Sequence, residues 1–190
     1  MQSLIVQAHP DPDSFCAACV GALAAGLTDG HDSAAPDVIN LYADGFSPVL
    51  DLQELRRRFP LDPVAQNYIR RLTAAQLIVF VYPEWWGSPP AILKGLLDRI
   101  LRPEIAYEFR EERDGRLHPS GLWSDKTLLP VITTDSNPSA AATRARVIWQ
   151  SASEFCGAEL ADPCVFGPVY ISTDRQRREF LLSLQSLQLP

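Results

Sequence analysis

The uninterrupted apolar run Leu77-Ile78-Val79-Phe80-Val81-Tyr82, stopped by Pro83, constrains this chain more than any other stretch. A strand with one wet face alternates apolar and polar residues; a strand covered on both faces does not need to, so the run predicts an inner strand of a parallel sheet. Beyond it come Glu84-Trp85-Trp86-Gly87-Ser88 and the pair Pro89-Pro90, then Ala91 to Ile100, where Ile92, Leu96 and Ile100 share one helical face. Open α/β sheets bind ligands outside the carboxyl ends of their strands, and indoles lodged there suit a flat, π-faced ligand. Core packing or a subunit interface is the other use for such tryptophans.

Alternation of strand and helix patterns extends the prediction along the chain. Ser3 to Ala8 reads as a first strand, followed by a helix from about Ser14 to Leu27 that ends near a turn at Gly30. Asp37 to Leu41 reads as a second strand, with helical segments near 52–58 and 63–73 after it. Leu77 to Tyr82, Lys126 to Thr133 and Cys164 to Val169 read as the third, fourth and fifth strands. This pattern predicts an α/β fold, a doubly wound five-stranded parallel sheet of order 2-1-3-4-5 with helices on both faces. With 190 residues, 46% of them hydrophobic, the expectation is a single domain over residues 1–190.

A net charge of -6 argues against a nucleic acid or an anionic membrane surface as partner, and Arg56-Arg57-Arg58 is too short a cluster to reverse that. Met1-Gln2-Ser3 leads into a short apolar run without the charged start of a signal peptide, and no segment has the roughly 18 apolar residues of a membrane span. A cytoplasmic protein is therefore expected, with Cys16, Cys19, Cys156 and Cys164 as thiols.

After the first predicted strand, Ala8-His9-Pro10-Asp11-Pro12-Asp13-Ser14-Phe15-Cys16 forms a loop that ends at a helix amino terminus. Unpaired amides and the positive end of the helix dipole favour a phosphate there, with the Ser14 hydroxyl, the amides of Phe15 and Cys16 and a ring N–H of His9 as donors. Asp13 or Ser14 serves equally well as a plain helix cap. Cys16-Ala17-Ala18-Cys19 has the spacing of a dithiol redox pair but lacks a preceding tryptophan, and Cys19 reads as a small core filler. At the end of the fourth predicted strand, Thr133-Thr134-Asp135-Ser136-Asn137 supplies hydroxyls and amides beside the Pro83–Ser88 loop. Three strand ends thus converge on one crevice.

These residues together resemble the DT-diaphorase-like NAD(P)H:quinone oxidoreductases, flavodoxin-fold flavoproteins, in their short bacterial form. The resemblance is carried by Ala8-His9 with Ser14-Phe15, by Leu41 to Leu50, by Pro83 to Gly95 with Asp98-Arg99, by Thr133-Thr134 and by Phe155-Cys156-Gly157. It implies a flavodoxin-like fold, a non-covalent flavin (FMN or FAD) and a homodimer with the flavin ring near the interface. By position, His9, Ser14, Phe15 and Cys16 would surround the flavin phosphate. Pro83, Glu84, Trp85, Trp86 and Gly87 would meet the ribityl chain and ring, with Trp86 at the ring-contacting aromatic position and Trp85 at a variable one suited to facing a partner subunit. Thr133, Thr134 and Asp135 would border the polar edge of the ring.

The implied reaction is two-electron transfer from NAD(P)H to a quinone or similar small acceptor by a ping-pong route, with the flavin carrying the chemistry and no catalytic side chain. An electron carrier of flavodoxin type, or a flavin-binding subunit ancillary to a potassium efflux system, shares most of the same residues. The chain departs from the family pattern at Cys16, where asparagine is common, and at Asp135-Ser136, where Gly-Gly or Gly-Ala follows the paired threonines. The tyrosine and histidine that follow in better-known members are also missing, which leaves Arg144 or Arg146 as candidates to attract a nicotinamide-cofactor phosphate.

Overall fold

The protein is described as a computed structural model covering residues 2–29, 35–57, 59–111 and 115–187. Gly30 and Arg58, named above as a turn and as part of a basic cluster, lie outside the described residues. β1 (Ser3–Gln7) is buried along its whole length and leads into α1 (Phe15–Asp29). β2 (Asp37–Asn40) follows, then α2 (Leu52–Arg57) and α3 (Pro63–Ala74), whose first turn is capped by the Asp62 carboxylate accepting the Val64 amide. β3 (Leu77–Pro83) is buried at every position, as its unbroken apolar pattern requires, and α4 (Ala91–Ile100) follows it.

β4 (Tyr107–Glu111) and β5 (Leu117–Gly121) pair antiparallel, away from the main sheet. β6 (Thr127–Thr133) returns to the core and continues into α5 (Pro138–Cys156), capped by Asn137 at one end and by Gly157 in the left-handed region at the other. β7 (Glu159–Leu160), β8 (Cys164–Phe166) and α6 (Asp174–Gln185) complete the chain.

The sheet runs β2-β1-β3-β6-β7, with β8 also on β6, and all its pairs are parallel. This is the order 2-1-3-4-5 expected from the sequence, with one difference: the fifth position is shared by two short strands. Pro130, together with Pro163, which is the next donor position after Ala161 and also lacks an N–H, accounts for the break. The carbonyls of Lys126 and Leu128 accept from Glu159 and Ala161, so residues of this parity face the fifth position, and Pro130 has no N–H to offer there. Pairing resumes only at Val131 opposite Cys164. The β4–β5 hairpin was not anticipated either, although Tyr107 and Phe109 alternate with charged residues as a half-exposed strand should.

Successive β3 side chains enter opposite layers. Leu77, Val79 and Val81 pack with Cys19, Leu23 and Leu184 beneath α1 and α6, while Ile78, Phe80 and Tyr82 pack with Tyr68, Leu96 and Trp149 beneath α3, α4 and α5. Trp149 is fully buried, stacks on Phe80 with ring centroids 4.4 Å apart and donates its indole N–H to the Tyr82 hydroxyl at 2.8 Å. Arg99, 3% exposed at its side chain, meets Glu54 at 2.9 Å and Asp62 at 3.1 Å and so ties the segment before α3 to α4. Removing a large buried aromatic costs about 3–5 kcal/mol, so Trp149→Ala should lower the unfolding free energy by about that amount in urea titration. A loss under about 1 kcal/mol would show that Trp149 is not a core residue of this fold.

Candidate functional site

Three backbone segments leave the sheet together at its carboxyl edge. The Ala8 amide donates to the Val81 carbonyl at 2.9 Å, and the Glu84 amide donates to the Thr133 carbonyl at 2.7 Å, so the ladder continues past the formal strand ends. Between them lies a shallow cleft of about 160 Å³ lined by His9, Pro83, Glu84, Trp85, Thr133, Thr134, Asp135 and Val169. Seven of the residues expected from the sequence thus converge. Val169, read from the sequence as the last residue of the fifth strand, instead lies in the loop after β8, which ends at Phe166, and lines the cleft from there. Gly167 allows that loop to approach: a Cβ there would lie 2.3 Å from the Thr134 carbonyl oxygen, and Val169 in turn donates its amide to the same oxygen at 3.0 Å.

On the β1 side, His9 Nδ1 accepts the Asp11 amide at 3.0 Å, which leaves Nε2 of the neutral ring as the N–H donor. The Asp11 carboxylate turns into its own loop and accepts the Asp13 amide at 2.9 Å. Ser14 caps α1, its hydroxyl oxygen accepting the Ala17 amide at 3.3 Å while its own proton stays available. Among the described residues, the amides of Phe15 and Cys16 have no hydrogen-bond partner, as expected for the first turn of a helix. The side chains of these two residues point elsewhere. Phe15 packs against Phe166 with centroids 4.7 Å apart, under the Arg177 guanidinium. Cys16 is 1% exposed and its sulfur lies 3.2 Å from the Thr133 hydroxyl.

That burial decides the question of dithiol chemistry. Desolvation pushes the Cys16 thiol up to about 11, against a smaller opposing effect of the Thr133 hydroxyl. Burial, reinforced by the neighbouring sulfurs, raises the Cys19 thiol further. Two buried neutral thiols do not make a nucleophile and a resolving partner at neutral pH.

On the β3 side, Trp85 N–H and C=O pair with Ser88 at 3.0 and 3.1 Å, closing a two-residue turn in which Trp86 has φ 54° and Gly87 φ 74°. Two successive left-handed residues define a type I′ turn; glycine takes that conformation freely and tryptophan does not. The turn directs the two indoles apart. Trp85 lines the cleft, its ring 6.2 Å from that of His9, whereas Trp86 is wholly exposed and Gly87 lies under Arg144. In the single chain, then, Trp85 is the indole that lines the cleft, while Trp86, given the ring-contacting position in the sequence reading, faces solvent.

Glu84 is the most heavily bonded residue of the site. Its carboxylate is 7% exposed and accepts from Arg144 Nε and Nη2, both at 2.8 Å, from the Thr134 hydroxyl at 2.7 Å and from the Ser136 hydroxyl at 3.0 Å. The Arg144 bonds, more than the two hydroxyls, hold its pKa below the ordinary carboxylate value against the cost of burial. Arg144 is thus committed to Glu84, whereas Arg146 forms only an exposed surface pair with Asp162 at 2.8 Å. Asp135 is also engaged, its carboxylate accepting the Tyr170 amide at 2.7 Å.

The family profile described as flavodoxin-like fold matches residues 1–187. A curated relative, an uncharacterized NAD(P)H oxidoreductase of Haemophilus influenzae, is 29% identical over 160 residues, covering 78% of this chain and 76% of that protein. NAD(P)H dehydrogenase [quinone] 1 of Rattus norvegicus is 26% identical over 193 residues, covering 85% of this chain and 67% of the relative. Among solved structures, the NAD(P)H:quinone oxidoreductase from Methanothermobacter marburgensis superposes with a TM-score of 0.82 at 23% identity, over 97% of this chain and 95% of that one.

A carboxyl group with a folded pKa below its unfolded value stabilises the fold above the unfolded pKa, and that stability disappears as pH falls through the folded pKa. The stability advantage of the wild type over Glu84→Gln should therefore be greatest near neutral pH and shrink as pH falls from the ordinary carboxylate value through the depressed Glu84 value. Urea unfolding of both proteins across this range measures it; an advantage that grew in acid would contradict the assignment.

Proposed function

The chain belongs to the flavodoxin-like family whose profile spans it, and from that membership and the geometry of the cleft we propose that it is a flavin-dependent NAD(P)H oxidoreductase acting on a quinone or similar small acceptor. The observation that supports this reading is a helix amino terminus with free amides at Phe15 and Cys16, tied by the Cys16 sulfur, 3.2 Å from the Thr133 hydroxyl, to the lining of an aromatic-walled strand-end cleft. The first suits a phosphate, and the second suits the edge and face of a planar ring. Residues 1–190 are read as one flavin-binding unit.

The Phe15 and Cys16 amides, the Ser14 hydroxyl and the His9 Nε2–H form the phosphate side; Cys16 contributes its backbone only. Pro83, Glu84 and Trp85 form one wall for the ring, and Thr133 to Asp135 the other. When bound, flavin supplies the two-electron chemistry, accepting from NAD(P)H and passing on to the acceptor. The chain's own part is to bind, orient and exclude water. Donor and acceptor use one open face in turn, which makes the kinetics ping-pong. The thiols take no part, so Cys19→Ala should retain reductase activity.

A pocket for a drug-sized ligand typically encloses about 300–1,000 Å³, and this cleft is smaller. A second copy is the natural completion. The exposed indole of Trp86 and the apolar groove between α4 and α5, which includes Leu97, Tyr107, Ile148 and Phe155, give a face suited to homodimer formation.

Mixing the flavin-loaded protein with NADH or NADPH in a stopped-flow instrument tests the reading. The flavin absorbance band should bleach within seconds and return on addition of a quinone. A band that stays unbleached with both donors would overturn the reductase assignment. Trp85→Ala should weaken flavin binding several-fold, since aromatic contacts contribute about 0.5–1.5 kcal/mol beyond burial; an unchanged dissociation constant would return Trp85 to a packing role.

A further inference from the structure

We propose that Arg144 is a positioning residue that tunes the flavin's reduction potential by neutralising Glu84 on the cleft wall. The inference rests on the flavin reading above and concerns charge. Glu84 lines the cleft with a side chain only 7% exposed, so water screens its charge less than at an open surface and the charge reaches across the wall. Every electron a cofactor takes up in that cleft is opposed by an unpaired carboxylate and hardly at all by a paired one. Asp135 adds a second acidic group to the same lining, which makes the neutralisation of Glu84 matter more.

Arg144 is placed to do this by its bidentate geometry. Nε takes one carboxylate oxygen and Nη2 the other, while Nη2 also donates to the Ser136 hydroxyl at 2.7 Å, which passes a bond back to Glu84. The planar fork fits both carboxylate oxygens at once, which lysine cannot do. Its stem crosses the turn as well: a Cβ on Gly87 would lie 3.3 Å from Arg144 Cδ and 3.4 Å from Nε. One side chain of α5 therefore meets the carboxylate and the turn that separates the two indoles. Ser136, which stands where the family pattern has a small residue, completes the set.

A clamp that only held the turn in shape would give a different outcome from one that also balances charge, and the two single variants separate them. Removing the cation alone leaves a buried anion beside the cleft. Removing the anion alone leaves a cation. Removing both restores neutrality without restoring the clamp.

The experiment is a dye-equilibration titration of bound FMN, and of FAD if FMN is not retained, in wild type, Arg144→Met, Glu84→Gln and the double variant Glu84→Gln/Arg144→Met. Arg144→Met should lower the affinity for reduced relative to oxidised flavin by about ten-fold, which for a two-electron couple is a midpoint about 30 mV more negative. Glu84→Gln should move the midpoint the opposite way, and the double variant should return close to wild type. If Arg144→Met does not fold, as judged by circular dichroism, the opposite shift in Glu84→Gln and its cancellation in the double variant carry the same test. Wild type that binds flavin, with midpoints unchanged or shifted in one direction in every variant, overturns the inference alone. Wild type that retains neither flavin overturns the reading on which it rests.

Discussion

The double pairing of β3 is the constraint on which the rest of this structure depends. β3 is hydrogen-bonded to β1 on one edge and β6 on the other, and its side chains enter both helical layers. A strand held in this way has no freedom of register, because a slip of one residue would exchange Phe80 and Tyr82 with Val79 and Val81 between the layers. The carboxyl end of β3 is therefore fixed relative to its neighbours, and the loops after β1, β3 and β6 emerge side by side. The cleft is a consequence of that registration.

Within the cleft, backbone and side chains divide the work. Backbone amides at the start of α1 stay free while the Phe15 and Cys16 side chains are spent on packing. Around β6, the reverse holds: Thr133 and Thr134 use their hydroxyls on Cys16 and Glu84, and Asp135 fixes the loop that carries Val169. The two residues that depart from the family pattern after the paired threonines thus have structural partners here. Ser136 bonds Glu84 and Arg144, and Asp135 bonds the Tyr170 amide. A site with glycines at these positions has neither tie.

The sheet order was legible in the sequence because an unbroken apolar strand and strand–helix alternation leave few other arrangements. The division of the fifth position was not, since it follows from absent N–H groups at Pro130 and Pro163 whose effect depends on which edge they face. Convergence of the His9, Pro83–Trp85 and Thr133–Asp135 segments was also legible, as strand ends in a known order. What the sequence did not carry was side-chain direction. Trp85 and Trp86 look alike in a string of letters, and only the left-handed pair at Trp86 and Gly87 shows which indole turns inward. Arg144, 60 residues from Glu84, is a partner that local pattern has no means of finding.

All of the proposed chemistry requires that the strand-end cleft hold a flavin. Absorption spectroscopy of the purified chain, followed by mass identification of the small molecule released on heating, tests it most directly. The expected result is a yellow protein that releases FMN or FAD. A colourless protein that retains neither flavin after incubation and gel filtration would contradict it.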